Sequence, residues 1–142
     1  MSATYQIFPD RGVVLARLEG RIMMDDCLQA AAAYARDRQA RPTQHLLIDL
    51  RAMTGHETDY LKILKAMARL PDYLLRNGAE PLVVCLTTGT PQRQIAAALL
   101  RAIEAMPGAV GRIAHSEEAA FDILGLPERC LTDLIAGTAR QQ

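Results

Sequence analysis

The sequence predicts an α/β domain with a mostly parallel five-stranded sheet, opened by an N-terminal hairpin, in two layers and in the element order ββαβαβαβα. Three observations carry this. The apolar runs 45–50, 82–87 and 110–115 are each followed by a helix-forming stretch, and strands that feed helices imply parallel pairing with right-handed crossovers. Two earlier strand-like runs, 5–8 and 13–19, are joined by Pro9-Asp10-Arg11-Gly12, a hairpin linker by composition. The strands also alternate in part, whereas strands covered on both faces read as unbroken apolar runs, so most helices are expected on one face.

In the second strand Val14, Ala16 and Leu18 face one way and Val13, Leu15, Arg17 and Glu19 the other. A first helix is predicted over 24–39, with Asp25 and Asp26 suiting the positive end of the helix dipole. Its stripe, Leu28, Ala31, Ala32 and Ala35, is mostly alanine and contributes little side-chain volume. The central strand, 45–50, should lie between 13–19 and 82–87. A second helix is predicted over 58–77, burying Tyr60, Leu61, Leu64, Met67, Ala68, Leu74 and Leu75, with Pro71 expected to kink or break it and Asn77-Gly78 to stop it. Lys62, Lys65, Arg69, Asp72 and Arg76 mark its opposite, mostly basic side.

Thr90 as N-cap and Pro91 at the first position open a third helix that buries Ile95, Leu99, Ala102, Ile103 and Met106 and ends at Pro107-Gly108. Ser116-Glu117-Glu118 caps a helix reaching Leu124; residues 128–135 add an amphipathic turn or two, and 138–142 form a frayed tail. Leu47 and Val83 are expected on the sparsely covered face, shielded by 127–135 or by a second subunit.

All 142 residues are expected to form one domain, with 128–142 a partly disordered C-terminal extension. Half the residues are hydrophobic and the formal net charge is zero, which fits a globular chain and argues against a dedicated nucleic-acid surface. No apolar run approaches the roughly 20 residues that span a bilayer, and the first ten residues lack a signal-peptide pattern, so the expected compartment is the cytoplasm. Cys27, Cys85 and Cys130 lie in apolar stretches without C-x-x-C spacing and read as small hydrophobes.

The most informative stretch is 45–64, a strand that leaves through a polar loop containing Gly55 and enters a helix. The run Ile48-Asp49-Leu50-Arg51-Ala52-Met53-Thr54 leading into a helix, the element order, and the closing Ser-Glu-Glu-Ala-Ala-Phe-Asp-Ile-Leu-Gly-Leu together resemble the STAS domain, found in bacterial anti-sigma-factor antagonists and in the cytoplasmic tails of sulfate transporters. More closely the chain is similar to small single-domain SpoIIAA-like proteins. The resemblance runs from the hairpin to about Leu124. In that family the loop after the central strand carries D-S-S-G-L-G, whose serine can be phosphorylated to switch a partner kinase. Here the positions read Glu57-Thr58-Asp59-Tyr60-Leu61-Lys62. The serine falls on Asp59 and both glycines are replaced, which implies a module held in one state or switched at Thr58.

Other chemistry is thinner. His45, His56 and His115 show no metal-ligand spacing with one another or with the cysteines, so neither metal nor cofactor is expected. Asp49, His56, Glu57 and His115 are acid/base candidates near the carboxyl ends of parallel strands, where ligands of open α/β sheets bind; capping is the plainer role for the carboxylates. Thr88, Thr90 and Arg93 at a helix start suit a small anion, though the stretch lacks the nucleotide P-loop pattern.

The resulting expectation is a non-catalytic regulatory or protein-interaction module. It contacts its partner through Glu57, Thr58, Asp59, Lys62 and Lys65, with Thr58 a candidate phosphorylation site. The resemblance implies a kinase, a sigma-factor regulator or a transporter component as partner, with a homodimer also in view and no nucleic acid or membrane insertion. The alternative is a small-molecule or anion binder, or a weak enzyme, using the carboxyl ends of the strands.

Overall fold

The structure, a computed structural model, describes residues 2–75, 78, 80–105 and 108–140. The expected helix stop at Asn77, the basic position Arg76, the apolar Met106, the stop at Pro107 and the last two residues of the tail lie outside the described residues, as do the side chains of 138–140.

Strand β1 (Ala3–Phe8) pairs antiparallel with β2 (Val13–Leu18), with Phe8 opposite Val13. The hairpin closes through a short 3₁₀ turn at Pro9–Arg11, after which Gly12 takes a left-handed φ of 63° and donates its N–H to the Pro9 carbonyl. A β-carbon is disfavoured in that conformation, so glycine belongs there. β2 then pairs in parallel with β4 (His45–Asp49), β4 with β6 (Leu82–Leu86), and β6 with β7 (Val110–Ala114). The strand order is β1-β2-β4-β6-β7, with the central strand flanked as the sequence predicts.

A second, two-stranded parallel ribbon joins β3 (Gly20–Ile22) to β5 (Met53–His56) beyond the carboxyl ends of β2 and β4. Neither segment is predicted as a strand.

Among the described residues five α-helices complete the fold: α1 (Met24–Arg36), α2 (Tyr60–Leu74), α3 (Thr90–Glu104), α4 (Glu117–Leu124) and α5 (Leu131–Arg140). The first three cover one face of the sheet, where Leu46, Ile48, Val83 and Cys85 meet Ala31, Leu70, Leu99 and Ile103. α4 and α5 cover the other, where Val13, Leu15, Leu47 and Val84 meet Phe121, Leu131 and Leu134. More helices lie on one face, three against two, but the sheet is the middle of three layers and not one of two, because α4 and α5 bury the second face: Leu47 and Val84 have no exposed surface.

Four local expectations need correction. Val83 pairs with Leu46 and so faces α1–α3; Leu47 alone is shielded by α5, and the two residues do not share a face. Side chains alternate along a strand, so this is a slip of one residue. α5 continues to Arg140, past the end predicted for that segment, because burying Leu131 and Leu134 anchors it. α2 is not broken at Pro71 and runs on to Leu74. Finally, the N-cap of α3 is Gly89 and not Thr90, with Pro91 one place inside.

The largest departure is the orientation of α2. Tyr60, Leu61 and Leu64, predicted buried, are 72%, 59% and 52% exposed, and Ala68 is exposed as well. Ala66, Leu70 and Pro71 are buried instead, with Ile63, Met67 and Leu74 packed partly beneath.

Candidate functional site

The ribbon β3–β5 carries the chain from the end of the sheet to the start of α2. Ile22 lies opposite His56, and the Glu57 N–H donates to the Ile22 carbonyl at 2.7 Å. The His56 Nδ1 sits 2.7 Å from the Glu57 carbonyl oxygen. Asp59 has extended backbone and caps α2: its Oδ1 accepts from the N–H groups of Leu61 and Lys62 at 3.1 and 3.3 Å. Such a cap satisfies amides that have no partner inside the helix. Asp59 is therefore the residue that starts this helix.

Of the five predicted contact residues, Thr58, Asp59, Lys62 and Lys65 are exposed. Glu57 is only 6% exposed, with its Oε1 3.8 Å from the Lys62 Nζ. Beside these polar groups α2 presents Tyr60, Leu61 and Leu64, which account for three of the five large hydrophobic residues found exposed among the described residues. Residues at i, i+1 and i+4 project from one side of a helix, so they form a patch next to Lys62 and Lys65. Sequence reasoning missed this patch because α2 carries two apolar stripes, and only one could face the core.

A second cluster lies at the carboxyl end of β4. The Arg51 N–H and Nε donate to Asp49 Oδ1, each at 3.0 Å, and another guanidinium nitrogen donates to Asp49 Oδ2 at 3.1 Å. The remaining guanidinium nitrogen donates to Glu117 Oε2 at 2.8 Å, and Glu117 Oε1 accepts from the Leu131 N–H at 2.6 Å. The Arg51 carbonyl also accepts from Gln92 Nε2 at 3.1 Å. One arginine thus ties the central strand to the starts of α3 and α4, and through Glu117 to α5. Hydrogen bonds donated to Asp49 raise the Arg51 pKa, with burial opposing and Glu117 adding to the rise. Burial pushes the Glu117 carboxyl up, but the Leu131 amide and the Arg51 guanidinium outweigh it and leave it below its ordinary value.

The acid/base candidates do not converge. Asp49 is held by Arg51, Glu57 and His56 belong to the outlying ribbon, and His115 follows β7 with its Nδ1 3.4 Å from Thr87 Oγ1. The anion candidates are occupied by the chain itself. Gln92 Oε1 accepts from the Thr88 N–H at 2.7 Å and from its hydroxyl at 3.0 Å, while an Arg93 guanidinium nitrogen donates to Thr90 Oγ1 at 3.1 Å. His45 is structural, its Nδ1 accepting from the Leu82 N–H at 2.9 Å.

Among the described residues no three His, Cys, Asp or Glu side chains gather in a metal-ligating group. All three cysteines are free; burial, with Asp26 nearby, pushes the Cys27 thiol up to about 11, and burial alone pushes Cys85 to about 12. Thiols in that range are protonated at neutral pH and weakly nucleophilic. No helix among the described residues is long and apolar enough to cross a membrane.

This is an α/β domain of the SpoIIAA-like, or STAS, fold. The chain is similar to the crystal structure of an uncharacterized protein of the DUF3478 family with a SpoIIAA-like fold from Shewanella loihica, at 20% identity and a TM-score of 0.52, over 86% of this chain and 91% of that one. No protein-family model and no curated protein matches the sequence.

Proposed function

We propose that the chain is a non-catalytic, regulatory protein-interaction module that engages its partner through the outer face of α2 and the loop before it. The observation that carries this is the exposure of Tyr60, Leu61 and Leu64 at 72%, 59% and 52%, flanked by Lys62 and Lys65. Exposed apolar groups clustered on one turn and rimmed by charge are the ordinary make-up of a contact surface. The aromatic ring and leucines supply anchors, and the lysines supply steering toward an acidic partner. Asp49 and the acid/base candidates are engaged elsewhere, which supports a role without chemistry of its own.

Thr58 is exposed one residue before the helix cap. A phosphate there adds up to two negative charges beside Lys62 and the N-terminus of α2. The module is read as held in one state by Asp59, with Thr58 as the position through which that state changes.

The test uses the chain as bait against extract of its source cell, comparing wild type with Leu61→Ser and Lys62→Glu, followed by phosphosite mapping. A partner bound by wild type and lost from both variants, while circular dichroism stays unchanged, supports the reading. Partners retained equally by all three overturn it. Light scattering of the wild type alone identifies the case in which the partner is a second copy.

A further inference from the structure

The helix with the alanine stripe does not fill the space over its sheet. Between α1 and strands β1, β2 and β4, with α2 beside it, lies an apolar cavity of about 100 Å³ that is partly open to the surface. Its origin is in the sequence: Ala30 and Ala31 of α1 face Ala3 of β1 and Ala16 of β2, so small side chains oppose small ones. Met67 and Leu70 of α2 line the remaining side.

The chemistry of the lining is uniform. Among the described residues no acidic, basic or histidine side chain contributes to it. The two tyrosines at its edge direct their hydroxyls elsewhere, Tyr5 to Asp37 at 2.8 Å and Tyr34 to Gln44 at 2.7 Å. Thr4 is exposed and Cys27 is a protonated thiol. A buried water needs two to four polar partners and finds too few here, so water is a poor occupant. An ionic or strongly hydrogen-bonding ligand fails for the same reason. The volume is of the order of the roughly 150 Å³ engineered apolar cavity that takes up benzene. Met24 and Met67 in the lining adapt their shape readily, giving latitude around a guest.

We infer that this cavity is a binding site for a small neutral hydrocarbon group, a single aromatic ring or a short alkyl chain, held between α1, α2 and the sheet. The inference stands apart from the interaction surface, which uses the opposite side of α2.

Toluene is the probe. Titrated into the wild-type chain, it is expected to raise the thermal midpoint and to shift the methyl resonances of Met24, Met67, Ile48 and Leu99. Ala31→Leu, which places a branched side chain into the cavity, is expected to weaken toluene binding at least tenfold. Should that variant misfold, Ala16→Leu fills the space from the sheet side and is read in the same way. No midpoint shift in wild type, equal affinity in wild type and a folded filled variant, or methyl shifts confined to Leu61 and Leu64 would each overturn the site. The last two outcomes leave the interaction surface standing, and loss of a partner in the Lys62→Glu variant leaves the cavity standing.

Discussion

The two faces of the sheet are built from the same strands and packed to different standards. The α4–α5 face carries fewer helices, yet it sets Phe8, Phe121, Leu15, Leu47, Leu131 and Leu134 against one another, each at most 4% exposed. The α1–α3 face carries more helices but spends α1 on alanine and keeps a cavity of about 100 Å³. Apolar surface that the dense face buries is left uncovered there, so this face gains less from burial than its helix count suggests. The number of helices over a sheet therefore says little about how well that face is packed. Side-chain volume at the facing positions decides it.

The largest expected effect lies on the dense face. Phe121→Ala should cost about 3–5 kcal/mol in urea unfolding, since its ring is 1% exposed and its neighbours are close-packed. Leu70→Ala, beside the cavity, should fall toward the lower end of the ~2–5 kcal/mol range for such truncations, because fewer neighbours lose contacts there. Equal losses at the two positions would mean that the cavity closes in solution.

Next comes the polar lock that holds the dense face shut. Glu117→Gln removes the charge from hydrogen bonds to Arg51 and the Leu131 amide, and should cost roughly 1.5–3 kcal/mol. The pH dependence has a definite sign. The folded-state pKa of Glu117 lies below its ordinary value, so its contribution is complete above about pH 4.5 and is lost as pH falls through the folded pKa. Wild type should lose stability below about pH 4.5 more steeply than Glu117→Gln. Parallel acid limbs in the two proteins would exclude this lock as a source of acid lability.

A matched pair sharpens the comparison further. Ala120 of α4 has no exposed surface and sits in the dense cluster, so Ala120→Leu should cost about 1–3 kcal/mol through overpacking. Ala31→Leu makes the same chemical change on the other face, where space exists, and should be neutral or stabilising by up to about 2 kcal/mol. Opposite signs are the expected result, read from guanidinium midpoints with unchanged slopes. The same sign for both would show that the faces do not differ as described.

Much of this was legible in the residues. The run 45–49 is short, apolar and bounded by polar loops, and it is the central strand; Pro9 to Gly12 is the hairpin turn. The ribbon β3–β5 was not, because Gly20–Ile22 and Met53–His56 are three and four residues long and hold Gly20, Arg21, Thr54 and Gly55, the composition of loops. At the candidate site the loop and lysines were legible and the apolar patch was not. Tyr60, Leu61, Leu64 and Ala68 make one helical stripe and Ile63, Ala66, Met67, Leu70 and Leu74 make another, and periodicity cannot say which of two stripes meets the sheet. Arg51 and Glu117 lie 66 residues apart, and only the parallel crossovers bring them together.

The smallest expected effect falls on α2 itself, where inner and outer faces repeat the contrast on one helix. Leu64 is 52% exposed, so Leu64→Ser gives up little buried surface and changes helix propensity only slightly; its cost should stay within about 0.5 kcal/mol. Leu70, six residues on, is 8% exposed and should cost several times more when truncated. The measurement is urea unfolding of Leu64→Ser at two protein concentrations a hundredfold apart. A loss near 2 kcal/mol that appears only at the higher concentration would mean that Leu64 is covered in wild type by a second copy of the chain, because only association makes stability depend on concentration. A loss of that size at both concentrations would mean that α2 sits rotated in solution, with the two stripes exchanged. A negligible change at both leaves Tyr60, Leu61 and Leu64 as open apolar surface on a folded monomer, which is the condition under which a different protein has a face to bind.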